Sequence, residues 1–210
     1  MAPPRAIPDA ILNRIEAQLR QRELARDDIA ERARRLRRLA QGTMGRIHAG
    51  VSGTVEQLAE VERAMREFAE RLRSEGRAEE NLARDSLQES VEATLLGHIV
   101  SGTALPGPEE LGVEPEPYLL GLGDVIGEVR RLTLRALTDG DIDRGEELLM
   151  LMEQLYHALM RFDTPRAVVA LKPKQDTARA LIERTRGEVT LARLLARARL
   201  PASPLDAEER

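Results

Sequence analysis

The sequence has no cysteine and no tryptophan, and its only Phe and Tyr residues are Phe68, Phe162, Tyr118 and Tyr156. Structural disulfides, thiolate zinc sites and a cysteine nucleophile are therefore excluded, and few rings remain on which nucleic-acid bases could stack. A core must come from Leu, Ile, Val, Ala and Met, a set suited to helix-on-helix packing. Lysine is nearly missing too: of 32 basic residues only Lys172 and Lys174 are Lys. Any cationic surface is thus arginine, a bias more often the mark of a GC-rich genome than of phosphate binding. A net charge of −4 argues against a generally basic coat for nucleic acid. No apolar run approaches the roughly 20 residues that span a bilayer, and the start, MAPPRAIPDAILNRIEAQL, lacks the basic-then-apolar signal pattern, so no membrane and a cytoplasmic location are expected.

With 210 residues, 42% of them apolar, the chain can build one sizeable core. Pro8 suits a helix start, and Ile11, Ile15, Leu19, Ile29, Leu36 and Leu39 recur at helical intervals up to about Ala40, before Gly42, Gly45, Gly50 and Gly53 loosen the pattern. A second helix reads from Val51 to about Arg73, with Val55, Leu58, Val61, Met65, Phe68 and Leu72 on one stripe, and a third from about Ala78 to Val100. The proline-rich SGTALPGPEELGVEPEP reads as one long connection. Helix resumes from Tyr118 to about Leu137, again to Met160 after the turn at Thr138 to Asp141, and finally to about Arg199 after a break near Pro165. The expectation is an all-α single domain over residues 1–200 with a flexible tail over 201–210.

No phosphate-binding glycine loop, nucleophile elbow or His-Glu-x-x-His helix is present, and His48, His98 and His157 fall in three different segments. Carboxylates remain. On the third helix, at about 100° per residue from Leu87, the apolar residues sweep an arc of about 220°, and Glu92 and Glu89 fall inside it at about 140° and 200°. Carboxylates in partly apolar surroundings must be paired with Arg, protonated, or bound to a metal, and spacing alone favours an Arg partner or simple exposure. On the next helix Asp124, Glu128, Arg131 and Arg135 share an edge opposite the stripe of Leu119, Leu122, Val125, Ile126, Val129, Leu132 and Ala136. A solvated face explains the charges. Gly121, Gly123 and Gly127 within that helix each cost up to about 1 kcal/mol relative to Ala, which close approach of another backbone or a ligand would explain.

The segment YLLGLGDVIGEVRR, the stretch TDGDIDRGEELLMLMEQLYHALMRFD, the late LKPKQDTARALIERTRG and the upstream LQESVEATLLGHIVSGTAL together resemble the translin family over roughly Ile29 to Gly187. The resemblance implies a translin-like bundle of about six or seven long antiparallel helices. Within the family the chain is similar to the catalytic branch, that of translin-associated factor X, at Glu89, Glu92 and Asp124, the implied metal-binding catalytic residues. Glu128 matches in both branches and is the implied supporting metal ligand. An all-oxygen site of this kind selects Mg²⁺ or Mn²⁺ over zinc. The implied activity is metal-dependent cleavage of single-stranded RNA, with single-stranded DNA as a second candidate, in a homo-oligomer, most naturally an octamer. Two rival readings stand beside it: a non-catalytic single-stranded nucleic-acid-binding oligomer, and a helical scaffold without ligand. Arg35, Arg38 and Arg131 are candidate RNA phosphate contacts against the reading of a solvated charged face, and His98 is a candidate RNA or interface contact, not a metal ligand. The chain departs from the family in that the connection before Tyr118 is short and acidic by comparison, and aliphatic residues replace aromatic ones of the eukaryotic proteins.

Overall fold

The structure, a computed structural model, describes residues 7–51, 54–75 and 80–198. Among the described residues the order is α1 (Asp9–Ala49), α2 (Thr54–Glu75), α3 (Glu80–Ser101), α4 (Pro108–Leu111), α5 (Pro115–Thr138), α6 (Ile142–Leu159) and α7 (Lys172–Ala198), with no strand. The expected tail over 201–210 and the expected start of the third helix at Ala78 lie outside the described residues.

Two central helices organise the bundle. α3 packs against α1, α2 and α5, and α5 packs against α3, α6 and α7. The seam between α3 and α5 therefore has α1 on one flank and α7 on the other. Its apolar side is closed by Val91, Leu95 and Leu96 of α3 and Val125, Ile126 and Val129 of α5, all fully buried. Each such side chain contributes about 1.5–3 kcal/mol by leaving water. The stripe expected on α2 is buried from Leu58 to Leu72, and that expected on α5 is buried throughout except at the half-buried Leu132.

Three expectations are corrected. α1 does not stop near Ala40 but runs on to Ala49, ending at Gly50 in the left-handed conformation (φ 66°). Gly42 and Gly45 face outward with nothing near them, while Thr43 and Ile47 between them are buried, so tertiary packing carries the helix through weak local propensity. The proline-rich connection is not wholly irregular. It holds the single turn α4, and Pro115 opens α5 at the first helical position, where a missing N–H costs nothing. Finally, Ile11, Ile15 and Leu19 lie outside the core, 41%, 46% and 59% exposed. No helix among the described residues is long and apolar enough to cross a membrane.

Candidate metal centre

Two glycines decide how closely the seam shuts around Asp124. A Cβ at Gly121 would stand 2.8 Å from the carbonyl oxygen of Gln88 and 2.8 Å from Val91 Cγ1, and a Cβ at Gly123 would stand 2.9 Å from Lys174 Cβ. Both contacts are shorter than packed carbon atoms tolerate. The missing side chains thus let α3 close on α5 from one side and α7 from the other. Gly127 is different, since its nearest neighbour would be Leu181 at an ordinary 3.9 Å. The close approaches deliver one donor to each oxygen of Asp124: Gln88 Nε2 donates to Oδ2 at 2.6 Å, and Lys174 Nζ donates to Oδ1.

Four half-buried carboxylates line this seam, Glu89 and Glu92 from α3 with Asp124 and Glu128 from α5. Glu89 is answered from α1, by Arg37 Nη2 at 3.1 Å from Oε1 and by Gln41 Nε2 donating to Oε2 at 3.3 Å. Glu128 Oε2 lies 2.5 Å from His48 Nε2, also of α1, but at an angle that makes no hydrogen bond, and both atoms are buried without a hydrogen-bond partner. Glu92 makes no ion pair or hydrogen bond among the described residues. Its carboxyl is pushed up to about 7, first by burial and then by the charges of Asp124 and Glu128, with Lys174 opposing and Glu89 adding to the rise.

This donor set fits a hard divalent cation in chemistry. It consists of carboxylate oxygens only, it includes a buried oxygen on Glu128 without a hydrogen bond, and burial together with the neighbouring acids pushes Glu92 up to about 7. In this conformation no three His, Asp or Glu side chains among the described residues converge as a ready cage. Lys174 and Gln88 hold Asp124, Arg37 holds Glu89, and a cation would have to replace some of these contacts. A cavity of about 680 Å³ elsewhere, among Leu72, Leu87, Val113 and Val169, contains none of the four acids.

The other residues singled out in the sequence lie apart from the seam's contacts. Arg35 and Arg131 are exposed, as is Arg38, whose Nη2 lies 3.5 Å from Glu31 Oε1. His98 is committed at both ring nitrogens, Nε2 to Glu62 Oε1 at 2.9 Å and Nδ1 to Thr103 Oγ1 at 2.8 Å, which ties the end of α3 to α2. Sequence reasoning missed Arg37, Gln41, His48, Gln88 and Lys174. The one available signal was the pairing of a helix-interior glycine beside Asp124 with one of the two lysines of a chain whose other basic residues are arginine.

The chain is 30% identical to AfC3PO in the AfC3PO–duplex RNA complex (TM-score 0.80), over 91% of this chain and 99% of that one. It is 31% identical to AfC3PO crystallised by itself (TM-score 0.81), over 90% and 99%. Apo-NeC3PO shares the fold at 22% identity, with a TM-score of 0.79 and coverage of 90% and 99%. An uncharacterized protein of Methanocaldococcus jannaschii is 41% identical over 103 residues, which are 49% of this chain and 46% of that protein, so the match spans under half of that relative. The model of the Translin family matches residues 10–186, nearly all of the helical bundle. With that match and this fold, the chain belongs to the translin family.

Proposed function

We propose that this protein is a divalent-cation-dependent endoribonuclease of the factor X-like branch, cleaving single-stranded RNA at the α3–α5 seam. The observation that carries the reading is Glu92, a half-buried carboxyl with no hydrogen-bond or ion-pair partner among the described residues, pushed up to about 7 first by burial and then by the charges of the acids around it. A buried carboxyl pushed up by burial and by neighbouring acids is the arrangement expected of a functional site, and a cation would offset the charges gathered there. Glu89, Glu92 and Asp124 would hold Mg²⁺ or Mn²⁺, with Glu128 in support. Such a cation supplies a lowered pKa for water and a counter-charge for the phosphate. The acids position it, and the apolar layer of Val91, Val125 and Val129 beneath them keeps bulk water from one side. With no free histidine pair at the seam, nothing here suits deprotonating a 2′-hydroxyl and protonating the leaving oxygen, so the expected products carry a 5′-phosphate and a 3′-hydroxyl.

RNA as ligand is supported by the likeness to AfC3PO, which forms a complex with duplex RNA. Arg35, Arg38 and Arg131, being exposed, are the proposed phosphate contacts. A homo-oligomer, an octamer in the family's manner, would bury the exposed apolar residues Ile11, Ile15 and Leu19 of α1 and Leu191, Leu194 and Leu195 of α7. A second reading, a binder that does not cut, is favoured by the lack of three converging donors. One experiment separates the two: labelled single-stranded and duplex RNA incubated with purified protein, with Mg²⁺, Mn²⁺ or a chelator. Cation-dependent cleavage of the single strand supports the nuclease. Retention of RNA without cleavage in either cation would leave the binder.

A further inference from the structure

The acid seam contains a positive charge built into the chain. Lys174 Nζ donates to Asp124 Oδ1, and its stem lies so close along α5 that only a glycine fits at position 123. The Lys174 ammonium also opposes the rise of Glu92, so its charge reaches a second acid of the seam. Resting on the metal-centre reading above, we propose that Lys174 is a tethered counter-ion that competes with a divalent cation for Asp124 and thereby sets the affinity of the seam for metal.

Three features suit it to that role. First, it is a lysine where 30 of the 32 basic residues are arginine. A guanidinium would grip a carboxylate through two parallel hydrogen bonds, whereas an ammonium is a compact, readily rehydrated point charge on a flexible stem. Second, it stands in the first turn of α7, where the helix macrodipole disfavours a cation and where no acidic residue of α7 itself answers it. The charge is held there by Asp124, not by an acid in the first turn of its own helix. Third, its side chain keeps 30% of its exposure, so the ammonium has water to retreat into. Gln88, on the other oxygen of Asp124, keeps the carboxylate oriented while Oδ1 changes partner.

A purely structural tie between α5 and α7 would have the same geometry but a different thermodynamic signature, because removing it would leave metal affinity unchanged. The test uses the full-length protein stripped of metal and titrated with Mn²⁺, the bound fraction read by calorimetry and by the electron-spin-resonance signal of the unbound ion. Lys174→Met should bind Mn²⁺ about fivefold more tightly than the parent, the size of one partly exposed ion pair. Its melting temperature should fall without metal and recover at saturating Mn²⁺. Lys174→Arg keeps the charge and should bind no more tightly than the parent, which keeps the inference testable if the Met variant folds poorly. Lys172→Met, removing an exposed lysine paired with Asp176 at 3.2 Å, should match the parent. If the parent takes up Mn²⁺ and Lys174→Met binds it equally or less tightly, the competition is refuted while the metal centre stands. If neither takes up Mn²⁺, the metal centre falls and the inference with it.

Discussion

The first half of α1 and the seam between α3 and α5 carry similar sequence signals and end in opposite surroundings. Ile11, Ile15 and Leu19 recur every four residues, as do Val91 and Leu95 on α3 and Val125 and Val129 on α5. The last four are fully buried, whereas the α1 trio is exposed. Periodicity reports that a helix has an apolar face, not what the face meets. In the seam that face is met within the chain, and of the acids beside it Glu89 and Asp124 are answered by donors of neighbouring helices, while Glu128 and Glu92 make no hydrogen bond among the described residues. On the arm of α1, at Ile11, Ile15 and Leu19, the face has no cover among the described residues, which is the condition under which a second copy becomes the favourable cover.

The largest expected effect strikes the seam. Glu92→Gln should lower RNA cleavage by about 100-fold or more in Mg²⁺, the scale of losing one preorganised electrostatic contact, while raising the melting temperature of the metal-free protein. A variant that instead melts earlier would show that Glu92 is a structural acid. Glu89→Gln should lose cleavage similarly but stabilise nothing, because it gives up Arg37 and Gln41, a half-exposed set worth about 1 kcal/mol or less.

On the arm, Ile15→Glu combined with Leu19→Glu should reduce the assembly's mass in light scattering while helicity by circular dichroism stays unchanged. An unaltered mass would place the subunit interface elsewhere. Back in the seam, Gly121→Ala forces a Cβ against the Gln88 carbonyl and should destabilise by about 1–3 kcal/mol. Gly127→Ala, with room for the methyl, should stabilise by up to about 1 kcal/mol. Urea unfolding of the two variants side by side checks the contrast; equal effects would mean that α3 does not approach at position 121.

Glu92 also predicts a slope with pH. Glu92 titrates from 4.5 when unfolded to about 7 when folded, so the fold binds its proton more tightly than the open chain does. That contribution to stability is complete below about pH 4.5 and is lost as pH rises to about 7. Metal-free protein should therefore lose stability across this window, and Glu92→Gln should flatten that part of the slope. A Glu92→Gln profile parallel to the parent's would assign the slope to other groups.

Much of the candidate site was legible because its acids come in helical pairs. Glu89 and Glu92 three apart, and Asp124 and Glu128 four apart, must each share a face whatever surrounds them. The glycines at 121 and 123 announced a close approach, though not of which helix. Their partners were not legible, since Gln88 and Lys174 lie 36 and 50 residues from Asp124, and Arg37 lies 52 from Glu89, so only packing brings them together. His98, in a recognisable segment, is taken up by Glu62 and Thr103 at the far end of α3.

By itself the sequence determined the all-helical class, the stripes that became the core, and the pairing of acids on two helices, because these depend on the 3.6-residue period and on side-chain chemistry alone. The tertiary structure decided that α1 runs through two glycines to Ala49, that Ile11, Ile15 and Leu19 near its start stay exposed among the described residues, and that Glu92 is left without a hydrogen-bond or ion-pair partner among them. Those outcomes depend on which helices stand beside which, and on charges whose interaction is weak in water and strong once the seam excludes it.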